Sequence, residues 1–267
     1  MGAALIVDAG VATVGAGPVL TPVTAGQGST FTVRNAALTS KVFLVDAWRQ
    51  SGHAGRVQIT SPNLVPVSNG IDINTPSGLA DFLLPGPPYQ PLVPQDALLV
   101  QDDGTAADVD LVAIQSYYDD LPGGSMVLKN PGDVSGATDF VFGWPCAAAA
   151  SGTPGNQGAT AITHTVDSST ANRWYAVLGY QCDAAVGAVG IQGVDTSQLF
   201  IGGPGDTNGI RTRTYFADLS METGRPCIPL FNAANKGSTS IVVVDHDAST
   251  AVNVTLLLAQ LAANYTP

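Results

Sequence analysis

The sequence contains one pattern written twice. Lys41-Val-Phe-Leu-Val-Asp-Ala-Trp48 lies over Arg173-Trp-Tyr-Ala-Val-Leu-Gly-Tyr180 at an offset of 132, with a basic residue and an aromatic residue at matching ends. The same offset places Val57 and Ile59 on Val189 and Ile191. Further on, Asn69-Gly70-Ile71 matches Asn208-Gly209-Ile210 at 139, and Asp102, Val109 and Leu111 match Asp245, Val252 and Val254 at 143. Four matches in one order, at a slowly growing offset, describe a duplicated unit whose second copy has longer loops. A repeat of this kind decides the architecture before any motif is weighed.

Each copy reads as strands. Val109, Leu111 and Ala113 share one face of an alternating run, as do Val252, Val254 and Leu256, while Asp110 and Asn253 face the other way. Period two is the mark of a half-buried strand. Leu98-Leu-Val100 and Ile241-Val-Val-Val244 precede acidic turns, Gln101-Asp-Asp-Gly-Thr105 and Asp245-His-Asp-Ala-Ser249, so run, turn and alternating run predict a β-hairpin in each copy. The Asn-Gly pairs supply left-handed turn geometry. The expected fold is all-β: two tandem antiparallel β-sandwich or jelly-roll domains from an internal duplication. The expected boundaries are an N-terminal arm at 1–17, a first sandwich at 18–118, a connector at 119–136 and a second sandwich at 137–267. Thr255 to Asn264, the one helical candidate of any length, is read as strand because it overlaps the alternating pattern.

Composition agrees. Of 21 acidic residues, Glu222 is the one glutamate, and the chain carries 30 Gly and 18 Pro. Asp suits turns where Glu suits helix interiors, so the formal charge of −11 is a by-product of turns. Charged residues make up 12% of the chain, about half the ~25% of an average soluble domain. None of the ten basic residues forms a run, which argues against direct nucleic-acid binding. No stretch approaches the ~20 apolar residues of a membrane span, and the start lacks the basic region of a secretory signal. Cys146, Cys182 and Cys227 are widely spaced without a CxxC pair, and are expected to be reduced.

The candidate chemistry is sparse. His53 and His164 have no nucleophile motif beside them, and His246, between Asp245 and Asp247, is expected at a hairpin tip rather than in a catalytic cleft. No catalytic residue and no cofactor site is expected. Asp102, Asp103, Asp245 and Asp247, with Asp108 and Asp110, are the candidates for a Ca²⁺ site, but their spacing is not that of an EF-hand and turn formation accounts for them. Trp48 and Trp174 lie in the repeated strand and read as core; Trp144 is left over as a packing residue or a sugar platform. Tyr117 and Tyr118 are interface candidates at the domain junction. Arg211 and Arg213 alternate onto one face of an expected strand and would seek acidic partners on a neighbouring subunit.

Low charge in so apolar a chain implies that much surface meets other protein. Tandem sandwiches over about residues 18–265 resemble the double jelly-roll major capsid proteins of viruses, although this chain is shorter than typical members. Pro94-Gln-Asp96 with Tyr117-Tyr-Asp-Asp-Leu-Pro-Gly123 is also similar to segments of uncharacterised phage virion proteins. The resemblance implies a non-enzymatic virion protein made in the host cytoplasm, with further copies of itself and other virion proteins as partners, and a major capsid role in a trimer or larger shell. Decoration, vertex or tail protein, and a carbohydrate- or surface-binding module, are the alternatives.

Overall fold

The computed structural model describes residues 2–14, 21–25, 31, 33, 41–51, 55–60, 71–75, 78–83, 90–93, 98–103, 108–121, 128–163, 172–207, 212–247 and 250–267. The first half contains β1 (Gly2–Val14), β2 (Thr21–Pro22), β3 (Thr24–Ala25), β4 (Val42–Ser51), β5 (Gly55–Thr60), β6 (Ile71–Thr75), β7 (Gly78–Leu83), β8 (Gln90–Leu92), β9 (Leu99–Asp102) and β10 (Asp108–Leu121). The second contains β11 (Leu128–Lys129), a short helix α1 (Pro131–Ser135), β12 (Thr138–Ala149), β13 (Gln157–Ala161), β14 (Trp174–Cys182), β15 (Val186–Gly193) and β16 (Ile201–Gly205). It continues with the helix α2 (Tyr215–Thr223), β17 (Ile228–Asn232), β18 (Thr239–Val244) and β19 (Ala251–Leu261).

Strand order makes both halves jelly rolls. In the second half one sheet runs β11-β17-β14-β19-β12 and the other β13-β18-β15-β16. Counting β12 to β19 as strands one to eight, the sheets read 6-3-8-1 and 2-7-4-5, the double Greek key of a jelly roll. The first half repeats it, with β3-β1-β10-β4-β7 in one sheet, β8 also pairing β4, and β2-β9-β5-β6 in the other. The duplication shows in the ladders as well. Ala47 pairs with Ile114 and Trp48 with Ala113, around a bulge that leaves Val45 unpaired. Tyr180 pairs with Leu256 and Gln181 with Thr255, around a bulge at Leu178.

Matching the bulges puts Trp48 on Gln181, one residue away from the overlay on Tyr180 that sequence similarity suggests. That slip matters, because one residue of shift moves every side chain to the opposite face of a strand. Tyr180 points into its own sandwich, where its hydroxyl donates to the Pro204 carbonyl at 3.0 Å. Trp48 points out of its sandwich toward the other half.

Three further expectations are corrected. Residues 2–14 are not an arm: β1 pairs with β10 along its length, and Leu5 and Ile6 are fully buried. A run of small and β-branched residues with a single charge suits a strand packed on both faces better than a free tail. The predicted hairpins are absent, because β9 and β18 lie in the opposite sheet from the β10 and β19 that follow them; run-turn-run in sequence is equally the signature of a chain crossing between sheets. The connector is also shorter than 119–136, since β10 extends to Leu121 and β11, from Leu128, already pairs with β17. Thr255 to Leu261 is strand, as expected.

Candidate functional site

The two sandwiches stack, and at the seam between them both copies contribute to a shared arrangement of side chains. Three rows cross β1, β10 and β4 on the outward face of the first half: Val11-Leu111-Gln50, Ala9-Ala113-Trp48 and Val7-Gln115-Asp46. Against them lie Ala188, Val242 and Val244, from the outward face of the second half's smaller sheet, and Phe200. Burial of this cluster, at ~25 cal/mol per Å² of apolar surface, glues one sandwich to the other.

Hydrogen bonds lock the register of the seam. The Trp48 indole N–H donates to the Gly187 carbonyl at 2.5 Å, and the Val7 amide to the Phe200 carbonyl at 3.0 Å. Gln115 uses both ends of its amide: Nε2 donates to the Gly202 carbonyl at 2.6 Å, and Oε1 accepts from the Tyr215 hydroxyl at 3.1 Å. The approach at Gly187 is close: a Cβ there would lie 2.7 Å from a Leu111 methyl and 2.8 Å from Gln50 Oε1, so those side-chain ends would have to shift. At the rim the Arg225 guanidinium stacks over the rings of Phe43, 4.4 Å away, and Tyr117, 5.2 Å away, and pairs with Asp119.

Asp46 is the anomaly of this surface. It is 1% exposed; Oδ1 accepts from the Ala47 amide at 2.7 Å, and Oδ2 has no hydrogen-bond partner among the described residues. Burial pushes its pKa up to about 8, opposed by the Ala47 amide and reinforced by Glu222. Burial likewise holds the Tyr180 and Tyr215 hydroxyls well above the ordinary tyrosine value.

The acids singled out in the sequence are dispersed. Asp102 lies within β9, not in a turn, and accepts from Arg49 Nε at 2.7 Å, while Asp110 accepts from Arg49 Nη2. This buried trio ties the two sheets of the first sandwich together. Asp103 accepts from the Arg56 amide at 2.5 Å and pairs with its guanidinium at 3.2 Å. These acids neutralise arginines; among the described residues no group of three or more His, Cys, Asp or Glu could hold a metal ion. Asp245 sits past the end of β18, 3.0 Å from His246 Nδ1, with Asp247 3.7 Å from Nε2. Burial raises the Asp245 carboxyl, but hydrogen bonds from His246 and Thr250 outweigh it and leave the pKa low.

Tyr117 and Tyr118 are buried in β10, and the Arg225 guanidinium of the second half lies over the Tyr117 ring. Arg213 is exposed in the turn before α2, not on a strand, and Arg211, His53 and His164 lie outside the described residues. Trp144 is buried beside Phe142, Tyr175 and Leu258. Arg49, Asp46 and Gln115 escaped the sequence reading; each is a polar residue inside an otherwise apolar strand, and that break in pattern was the available signal.

Comparison with known proteins adds little. No protein-family model matches the sequence, and no curated protein matches it. Among solved structures the chain has weak similarity to the PBSX exported protein XepA, at 11% identity over 96% of this chain and 86% of that one with a TM-score of 0.23. YhaK from Escherichia coli gives 12% identity, the same coverages and a TM-score of 0.21. PBCV-1 VP54, fitted into a cryo-EM reconstruction of the virophage Sputnik, gives 10% identity over 99% and 97% of the chains with a TM-score of 0.16. The architecture therefore rests on strand order, not on these likenesses.

Proposed function

We propose that this chain is a non-enzymatic structural protein of a virion, a capsid subunit that associates with further copies of itself. One observation carries the reading: two jelly rolls of the same strand order are fused by a buried seam into one four-sheet block. Such a block offers broad sheet faces, which suit repeated protein contact. Closed point-group assemblies follow when such contacts are specific. Two of the three tryptophans that could serve a sugar-binding alternative, Trp48 and Trp144, are buried.

The test is the mass of the purified protein by light scattering, with negative-stain micrographs. Trimers or closed particles support the capsid role, and small open oligomers that add to a preformed shell would move the assignment to a decoration or vertex protein. A monomer at every concentration and ionic strength overturns the proposal.

A further inference from the structure

We propose that the seam between the two sandwiches is a proton-controlled joint, held shut by a protonated Asp46 and loosened when that carboxyl ionises. The proposal concerns the single chain and does not depend on the capsid reading.

Among the described residues, no cation is paired with Asp46. Its own strand offers one backbone donor, the Ala47 amide. From β10, the facing residue is Gln115, a neutral amide whose Nε2 donates to the Gly202 carbonyl and whose Oε1 accepts from the Tyr215 hydroxyl. From the described residues of the second half, Tyr215 and Glu222 on α2 and Tyr180 on β14 interact with it, and none of these brings a positive charge. The stretch of β16 bonded to Gln115 is Gly202-Gly203-Pro204, which has no charged side chain. A buried carboxylate without a cation is strongly disfavoured. Water can reach Oδ2 by the least disruptive route if the second sandwich lifts away, because Asp46 is on the outward face of β4. The inner cores of both sandwiches stay packed when that happens.

One proton then links to opening. The closed seam keeps the proton and the open one releases it, so the opening equilibrium rises tenfold per pH unit between the ordinary carboxyl value and the closed-state value, and levels off above that. Hydrogen exchange read by mass spectrometry tests this on the full chain, with wild type and Asp46→Asn compared at each pH so that intrinsic exchange cancels. In wild type, peptides containing Val7 and β16 should gain about tenfold in opening per unit between pH 5 and pH 7 while β19 stays protected. In Asp46→Asn the same peptides should show no such slope. Equal slopes in the two proteins, or β19 opening together with the seam, overturn the proposal. If Asp46→Asn does not fold, carbon-13 titration of the wild-type carboxyl decides: a midpoint near the ordinary aspartate value refutes the joint, and one raised by three units or more supports it.

Discussion

Replacing Arg49 by Met removes the cation that two buried carboxylates share. The side chains of Asp102 and Asp110 are 0% and 1% exposed, and among the described residues the Oδ1 atom of each has no hydrogen-bond donor. Methionine fills the volume of the arginine stem and leaves both acids uncompensated, for which the expected loss is about 3–5 kcal/mol at pH 7. The deficit has a sign in pH. With Arg49 present, burial raises Asp102 from 3.8 to about 6 against the pull of the guanidinium. A carboxyl raised in the folded state costs stability as pH climbs from its unfolded to its folded value. In wild type that window runs from about pH 4 to 6 and costs roughly 3 kcal/mol at ~1.4 kcal/mol per unit. Without Arg49 the folded value rises further, so the window extends through neutrality. Urea unfolding at pH 4, 5.5 and 7, followed by circular dichroism, should show a variant close to wild type at pH 4 and progressively weaker above it. A loss below about 1 kcal/mol, or one that is equal at pH 4 and 7, would show that the trio does not hold the sheets together.

Other perturbations probe neighbouring parts of the argument. Gly187→Ala drives a methyl into Leu111 and Gln50, and should speed exchange of the Val7 amide by tenfold or more with each sandwich still folded. Trp144→Ala opens a cavity inside the second sandwich and should cost about 3–5 kcal/mol of thermal or urea stability, whereas Val141→Thr, on a half-exposed side chain, should stay within about 0.5 kcal/mol. Arg225→Ala removes a partly exposed pair and its ring contacts, and should lower stability by about 1 kcal/mol, an effect that shrinks only in part at 1 M salt because the stacking on Phe43 and Tyr117 is not screened.

The legible part of this fold was its pattern of two. Alternation in 109–113 and 252–256 and the similarity of 41–48 to 173–180 place strands of both copies, because half-buried strands write their facing in every second residue. Which face belongs to which neighbour was not legible: Trp48 and Tyr180 look equivalent, and only the bulges at Val45 and Leu178 reveal the slip between them. The trio of Arg49, Asp102 and Asp110 was hidden because Asp near Gly reads as turn, and its partner lies 53 residues from Asp102. The helix α2 was missed although Gly224 follows it with φ of 65°, the left-handed stop that ends many helices. Its short run, Tyr215, Phe216 and Leu219, also fits other structures.

The seam has a consequence for how such a chain stays discrete. Its two mating faces are different surfaces, the outside of one copy's larger sheet and the outside of the other copy's smaller sheet, and a contact between unlike faces repeats without end unless something stops it. The faces left over at the two ends of the stack mix polar and apolar side chains: Gln181, Asn253 and Thr255 stand beside Val141 and Pro145 on the second copy's larger sheet, and Arg56, Gln58 and Gln101 beside Leu99 on the first copy's smaller one. The duplicated pair is one step of such a contact, with unlike surfaces at its two ends. Writing the seam residues back onto those two ends should turn the protein into a filament.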